Sequence, residues 1–238
     1  MPLAREELIR RYRAISAPTV YDVLDKLGHP NHALHSDIRS LKTGWRLAGP
    51  ALTVHGKSMT AADGRWGTAF SYDMFRAIQP GDVIVFDCGG HRQGGPWGGN
   101  TGVNARAKGA AGIVIDGGTR DLADLVAMEF PTFSRFVTPV LAHGRFQVHG
   151  FNERITVSGQ VDARVSVAPG DFVVADDDGV VIVPQELLEE VLHFAELAEK
   201  AEGEIRRALD AGEDRESVDR RIDRFAALKA AKAGKERP

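Results

Sequence analysis

The 238-residue sequence contains a single cysteine, Cys88, so no disulfide can form within the chain and no zinc site can be built mainly on thiolates. That usage fits a reducing compartment. There is no basic excess either: 30 Lys and Arg stand against 33 Asp and Glu, for a formal net charge of -3. Proteins that bind phosphate backbones carry the opposite balance, so no nucleic acid is expected as the main ligand. Long uncharged apolar runs are missing, and the stretch "MPLAREELIRRYRAI" lacks the apolar block of a secretory leader. The expectation is a soluble cytoplasmic protein with no membrane partner. No repeat or low-complexity linker divides the chain, which points to one domain over residues 1–238. The glycine spacing fits neither G-x-G-x-x-G nor G-x-x-x-x-G-K-[ST], so the glycine-rich loops are not read as nucleotide cradles.

What is present is ordinary globular material, 43% hydrophobic and 26% charged, enough for one large core. Residues 6–14 read as a short amphipathic helix, and "SAPTVYDVLDKLG" as a second, with Thr19 as its cap, Asp22 at the third helical position and Gly28 as its stop. "LAGPALTV" and "GDVIVFDCGG" are β-branched, apolar runs of the kind buried in sheets, with "AFSYDMFRAIQ" predicted helical between them. A helix from about Thr101 to Lys108 precedes the strand "GIVID". This alternation predicts crossover units and a sheet with parallel pairs. "PTFSRF", "TPVLAH", "ERITVSG" and "DFVVADDDGVVIVP" are further candidate strands, with "ADDDGV" as a hairpin turn. From Gln185, apolar residues recur at helical spacing over a charged background, and the tail "RFAALKAAKAGKERP" is helical before it frays.

Two glycine-rich loops follow strands: "DCGGHRQGGPWGGNTG", Asp87 to Gly102, and "DGGTRD", Asp116 to Asp121. Glycines let backbone approach a ligand closely, and the first loop runs into a helix whose free N–H groups suit a carboxylate or phosphate. His91, alone in that loop, is expected to face solvent or support a neighbour rather than hold a metal. In the second loop Arg120 can grip a carboxylate through two N–H bonds, and Asp121 offers hard oxygen to Mg²⁺ or Mn²⁺. The bland alternative is a surface ion pair for Arg120 and a helix cap for Asp121.

The run "GDVIVFDCGG…WGGNTGVNARAKGAAGIVIDGGTRD", followed by "PTFSRFVTP" and "GDFVVADDDGVVIVP", resembles the RraA-like family of 4-hydroxy-4-methyl-2-oxoglutarate aldolases and regulators of ribonuclease activity A. The likeness spans roughly Ser16 to Gly212. It implies an α/β swivelling β/β/α fold with a core over about residues 16–184 and a C-terminal helical extension over about 185–231. It also implies a homotrimer or homohexamer with active sites shared between subunits. In the metal-dependent pyruvate aldolases of this family, the matching arginine contacts pyruvate oxygens and the matching aspartate anchors the cation. Backbone amides of the first loop hold the carboxylate. Here those are Arg120, Asp121, and Gly98, Gly99, Asn100 and Thr101, with Mg²⁺ or Mn²⁺ as cofactor.

The resemblance further implies an acidic residue from a neighbouring subunit near the metal, for which Glu199 and Glu202 on the C-terminal helix are the candidates. Arg135 matches a family arginine placed for the far carboxylate of a dicarboxylic substrate, or equally for a salt bridge in the β region. Asp87 and Asp116 end strands beside the loops and are placed to orient metal-bound water, Asp116 equally to cap a turn. One departure stands out: "GGNTG" puts Gly99 where aldolases carry glutamate, with Asn100 and Thr101 in place of leucines.

The expected function is a divalent-metal-dependent lyase that cleaves a small β-hydroxy-α-keto (di)acid to pyruvate by retro-aldol chemistry, and decarboxylates oxaloacetate through the same enolate. A second reading keeps the metal chemistry for hydrolysis, dehydration or isomerisation of a keto or sugar acid, which the "GGNTG" departure favours. A third is a non-catalytic regulator that binds a ribonuclease, against which stands the retention of both Arg120 and Asp121.

Overall fold

The computed structural model describes residues 3–60 and 72–235. Strands whose residues are apolar on both faces need cover on both, and "VIVFD" and "GIVIDGGT" are of that kind. They form β3 (Val83–Asp87) and β4 (Gly112–Thr119), flanked by β2 (Leu47–Ser58) and β5 (Thr132–Val137). These four pair in parallel in the order β2-β3-β4-β5. The crossovers carry α3 (Tyr72–Ala77), α4 (Gly99–Ala107) and α5 (Leu122–Ala127).

Antiparallel strands extend this centre. β1 (Arg39–Ser40) joins β5, while β9 (Phe172–Asp176) joins the first part of β2 and forms a hairpin with β10 (Gly179–Val183). β6 (Phe146–Phe151) pairs with the second part of β2, and β7 (Ile155–Ser158) with β8 (Arg164–Val167) makes a separate ribbon. Period-2 alternation assigns the faces. Leu52, Val54, Ile84, Phe86, Ile113 and Ile115 pack with Phe75, Ala105 and Leu125 of α3, α4 and α5. Their neighbours Ala51, Val83, Val85 and Val114 pack with Ile155, Val157, Val165 and Val167 of the ribbon. Fully burying each such side chain contributes roughly 1.5–3 kcal/mol.

A third cluster forms where α1 (Arg5–Arg13), α2 (Ala17–Leu27) and α6 (Leu188–Asp210) cover β9 and β10. The cap of α2 is Ser16, not Thr19: Ser16 Oγ accepts from the Thr19 amide at 3.3 Å, and Pro18 sits in the first turn where no donor is needed. Gly28 closes α2 in the left-handed region, as expected. The Asp177–Asp178 turn joins β9 to β10, and Asp176 reaches across to accept from the Ala17 amide at 2.8 Å.

The expected strand at "TPVLAH" does not form; Leu141 makes one isolated bridge, to Gly95, in a stretch where Pro139 lacks a donor. Three strands lacked a distinct signal: the two-residue β1, β6, whose "FQVHGF" mixes polar and small residues, and the four-residue β8. The helix expected from Thr101 begins at Gly99. Residues 69–71 of "AFSYDMFRAIQ" and 236–238 of the tail lie outside the described residues. The C-terminal helical extension is present as α6, α7 (Arg215–Arg221, capped by Asp214) and α8 (Ala226–Lys235). Among the described residues no helix is long and apolar enough to cross a membrane.

Candidate active site

Asp116 does not end its strand: Asp116 to Thr119 of the expected second loop continue β4, and the first glycine loop meets the end of that strand because backbone joins them. Past the end of β4, the Arg120 amide donates to the Trp97 carbonyl at 2.9 Å, and the Thr119 hydroxyl donates to the same oxygen at 3.1 Å. Trp97 is buried against Phe75 and Phe130, so the first loop is anchored where it passes β4. One residue on, Gly98 is the N-cap of α4. Its amide donates to Thr101 Oγ1 at 2.8 Å, and that hydroxyl donates to the Gly98 carbonyl at 2.6 Å.

Asp121 occupies the left-handed region at φ 58° and ψ 43°, a conformation Asp tolerates better than most residues but one that still costs about 1–3 kcal/mol. The turn sends its side chain away from its own helix. Asp121 makes no side-chain cap on α5; its Oδ2 instead accepts from the Gly99 amide of α4 at 3.0 Å. Arg120 Nε donates to the same carboxylate, at 3.1 Å to Oδ1 and 3.3 Å to Oδ2. The positive end of α4 and the guanidinium thus face one carboxylate. The ion-pair half of the bland alternative holds, since Arg120 pairs with Asp121 itself and both are part-exposed; Asp121 stands at the N-cap of α5, but its side chain bonds the start of the other helix.

The glycines make this approach possible. A Cβ on Gly98 would lie 2.6 Å from Asp121 Oδ2 and 2.9 Å from Arg120 Cγ. At Gly99 it would lie 3.0 Å from Asp124 Oδ2 and 3.5 Å from Asp121 Cβ. Among the described residues no group of three or more His, Cys, Asp or Glu is placed to hold a metal. Carboxylate oxygens in so sparse a set suit a hard cation that keeps most of its water, as Mg²⁺ does with one or two carboxylates. Asp121 is the residue that would hold it.

Other sequence candidates lie elsewhere. Arg135 forms a buried ion pair with Asp116 and a second with Asp37 at 3.1 Å, the salt-bridge alternative. Burial pushes the Asp116 carboxyl up, but hydrogen bonds from Arg135 and Ser158 outweigh it and hold it below the usual range. Asp87, the register partner of Asp116, is raised by burial. By strand alternation both continue the Val85 and Val114 row, facing the β7–β8 ribbon rather than α4 and α5. Glu199 accepts from the Ser16 amide and hydroxyl at 3.0 and 2.8 Å, and Glu202 pairs with Arg224 at 3.0 Å. Both therefore tie α6 to its neighbours, and the chain does not bring either to Arg120 and Asp121. His91 is 1% exposed, with Nδ1 2.8 Å from Ser58 Oγ, so the solvent-facing expectation is corrected: the loop folds it against Phe146. Asn100 is exposed. Asp124 was not singled out from the sequence, although its place three residues after Asp121 on α5 was a usable signal.

The family described as RraA-like, aldolase/RraA, matches residues 17–182. A protein of Halalkalibacterium halodurans, provisionally named a 4-hydroxy-4-methyl-2-oxoglutarate aldolase, is 33% identical over 82% of this chain and 85% of its own. A protein of Thermus thermophilus named 4-hydroxy-4-methyl-2-oxoglutarate aldolase is 32% identical over 44% of this chain and 60% of its own. Among solved structures, Streptomyces coelicolor RraAS2, described as an unusual member of the RNase ES inhibitor RraA protein family, superposes with a TM-score of 0.73. It is 29% identical, over 86% of this chain and 99% of that one.

Proposed function

This chain belongs to the RraA-like family, and from that premise we propose that it is a divalent-metal-dependent lyase releasing pyruvate from a small α-keto acid whose hydroxyl lies β to the keto carbon. The observation that carries the reading is the convergence of Arg120, Asp121 and the Gly98–Gly99 backbone at the start of α4. The names of the aldolase relatives support it. Asp121 would hold Mg²⁺ or Mn²⁺, which would supply Lewis-acid stabilisation of the charge that develops on the substrate.

The chain's own groups do the rest. Retro-aldol cleavage leaves an electron pair on what becomes the pyruvate enolate, and Arg120 places a fixed positive charge beside that oxygen. A well-aimed donor of this kind is worth roughly 3 kcal/mol in the transition state. The Gly98 and Gly99 amides are engaged by Thr101 Oγ1 and Asp121, so the substrate carboxylate is received by the next amides of the first turn, at Asn100 and Thr101, while the Thr101 hydroxyl keeps that turn closed. A lysine Schiff base has no part in this scheme. Val137, Val140 and Leu141 are exposed and border the first loop through the Gly95 bridge, which supports a homotrimer or homohexamer with its sites at subunit contacts.

The test is pyruvate release from 4-hydroxy-4-methyl-2-oxoglutarate and from oxaloacetate, with Mg²⁺ or Mn²⁺ and then with a chelator. Release that needs the metal and disappears in Asp121→Ala is the expected result. A second reading, a ribonuclease regulator, is favoured by the likeness to RraAS2. Silence on both substrates together with inhibition of a ribonuclease would establish that reading instead.

A further inference from the structure

Two carboxylates, not one, face the first residue of α4. Asp121 accepts from the Gly99 amide, and Asp124, in the first turn of α5, brings Oδ2 to 3.0 Å and Cβ to 3.2 Å from where a Cβ on Gly99 would sit. Glycine at position 99 leaves that volume to the Asp124 side chain. The two acids differ in their surroundings. Asp121 is half-buried and engaged by Arg120 and the Gly99 amide, whereas Asp124 is exposed and, among the described residues, its carboxylate makes no hydrogen bond or ion pair. A group that must accept a proton and release it to water needs that second kind of setting.

We propose that Asp124 is the proton acceptor of this site. The assignment rests on the lyase reading above. As the β-hydroxyl of the substrate becomes a carbonyl, its proton passes to the Asp124 carboxylate. The carbon–carbon bond breaks with its electron pair moving to the pyruvate side, forming the enolate, and the other fragment leaves as the carbonyl compound. Asp124 returns its proton to water, and the enolate carbon takes one from water to become the methyl group of pyruvate. Nothing is oxidised or reduced. Oxaloacetate has no β-hydroxyl; its carbon–carbon bond releases CO₂ and leaves the same enolate, so it makes no demand on Asp124. The two reactions share every other residue of the site and part at this one.

The experiment compares the full-length wild type with Asp124→Asn and Asp124→Glu in four measurements: Mn²⁺ binding by calorimetry, thermal melting, and pyruvate release from each of the two substrates as a function of pH. In Asp124→Asn, Mn²⁺ affinity should stay near wild type, and oxaloacetate decarboxylation should fall far less than aldol cleavage. Aldol cleavage should fall by roughly 100-fold or more, the usual range for loss of a general base. Asp124→Glu should recover part of that rate. If Asp124 only favours the first turn of α5, melting shifts and both reactions change together, which overturns the proposal. Loss of Mn²⁺ binding, or full aldol activity in Asp124→Asn, overturns it as well. A wild type that decarboxylates oxaloacetate but cleaves no hydroxy acid leaves the lyase reading standing and removes this assignment. A wild type silent on both substrates removes both.

Discussion

Replacing Gly98 with alanine adds one methyl group, and the structure says what that methyl would meet. The backbone there is extended, at φ -163° and ψ -170°, which alanine adopts without strain, so the effect is one of space. The new Cβ would lie 2.6 Å from Asp121 Oδ2 and 2.9 Å from Arg120 Cγ. Both side chains must withdraw, and the charge-assisted bond from the Gly99 amide to Asp121 goes with them. Bonds to charged groups contribute about 1.5–3 kcal/mol. For a chain of this size that range corresponds to a melting temperature lower by roughly 3–12 °C. The same energy is needed to return Asp121 to its aim, so Mn²⁺ should bind about 10- to 150-fold more weakly. Calorimetric titration with Mn²⁺ beside a melting curve measures both. Gly98→Ala that binds Mn²⁺ like the wild type and melts with it would refute the idea that the Gly98 surface positions Asp121.

Two further outcomes follow from buried charge. Arg135→Met leaves the Asp116 carboxylate buried without its cation, which should cost roughly 3–5 kcal/mol near neutral pH. Because the folded-state carboxyl of Asp116 titrates below its ordinary value of 3.8, its contribution is present above that pH and is lost as pH falls through the folded value. The gap in melting temperature between wild type and Arg135→Met should therefore close in strong acid. A gap constant with pH would count against it. Burial holds His91 below its ordinary value of 6.5, so the unfolded chain takes up that proton first and stability falls as pH drops below 6.5. His91→Gln should flatten this part of the melting-versus-pH curve, and an unchanged slope would show that another group carries it.

The parallel centre of the sheet was legible because β2 to β5 are bounded by glycine and proline and rich in β-branched residues, and because helical stretches separate them. β6 was not, since the partner that stabilises it is the distant second half of β2. The charge pair in "DGGTRD" announced itself by following a strand end. What it would touch did not, because the left-handed turn at Asp121 redirects the carboxylate to another helix, and no local pattern encodes a contact across 22 residues. Arg135 shows the converse. Its residue type suited a substrate carboxylate, but it has a structural partner, Asp116, fixed by tertiary packing.

The stitch of Arg120 and Thr119 onto the Trp97 carbonyl has a consequence for how such proteins diversify. The spacing between the α4 start and the Arg120–Asp121 corner depends on main-chain bonds and a buried indole, and not on what stands at the exposed position 100. That residue can be exchanged without moving the corner, whereas a side chain at position 99 must displace Asp124. Libraries randomised at position 100 should retain folded, metal-binding members at high frequency, with new substrate preferences drawn from a frame that selection need not rebuild.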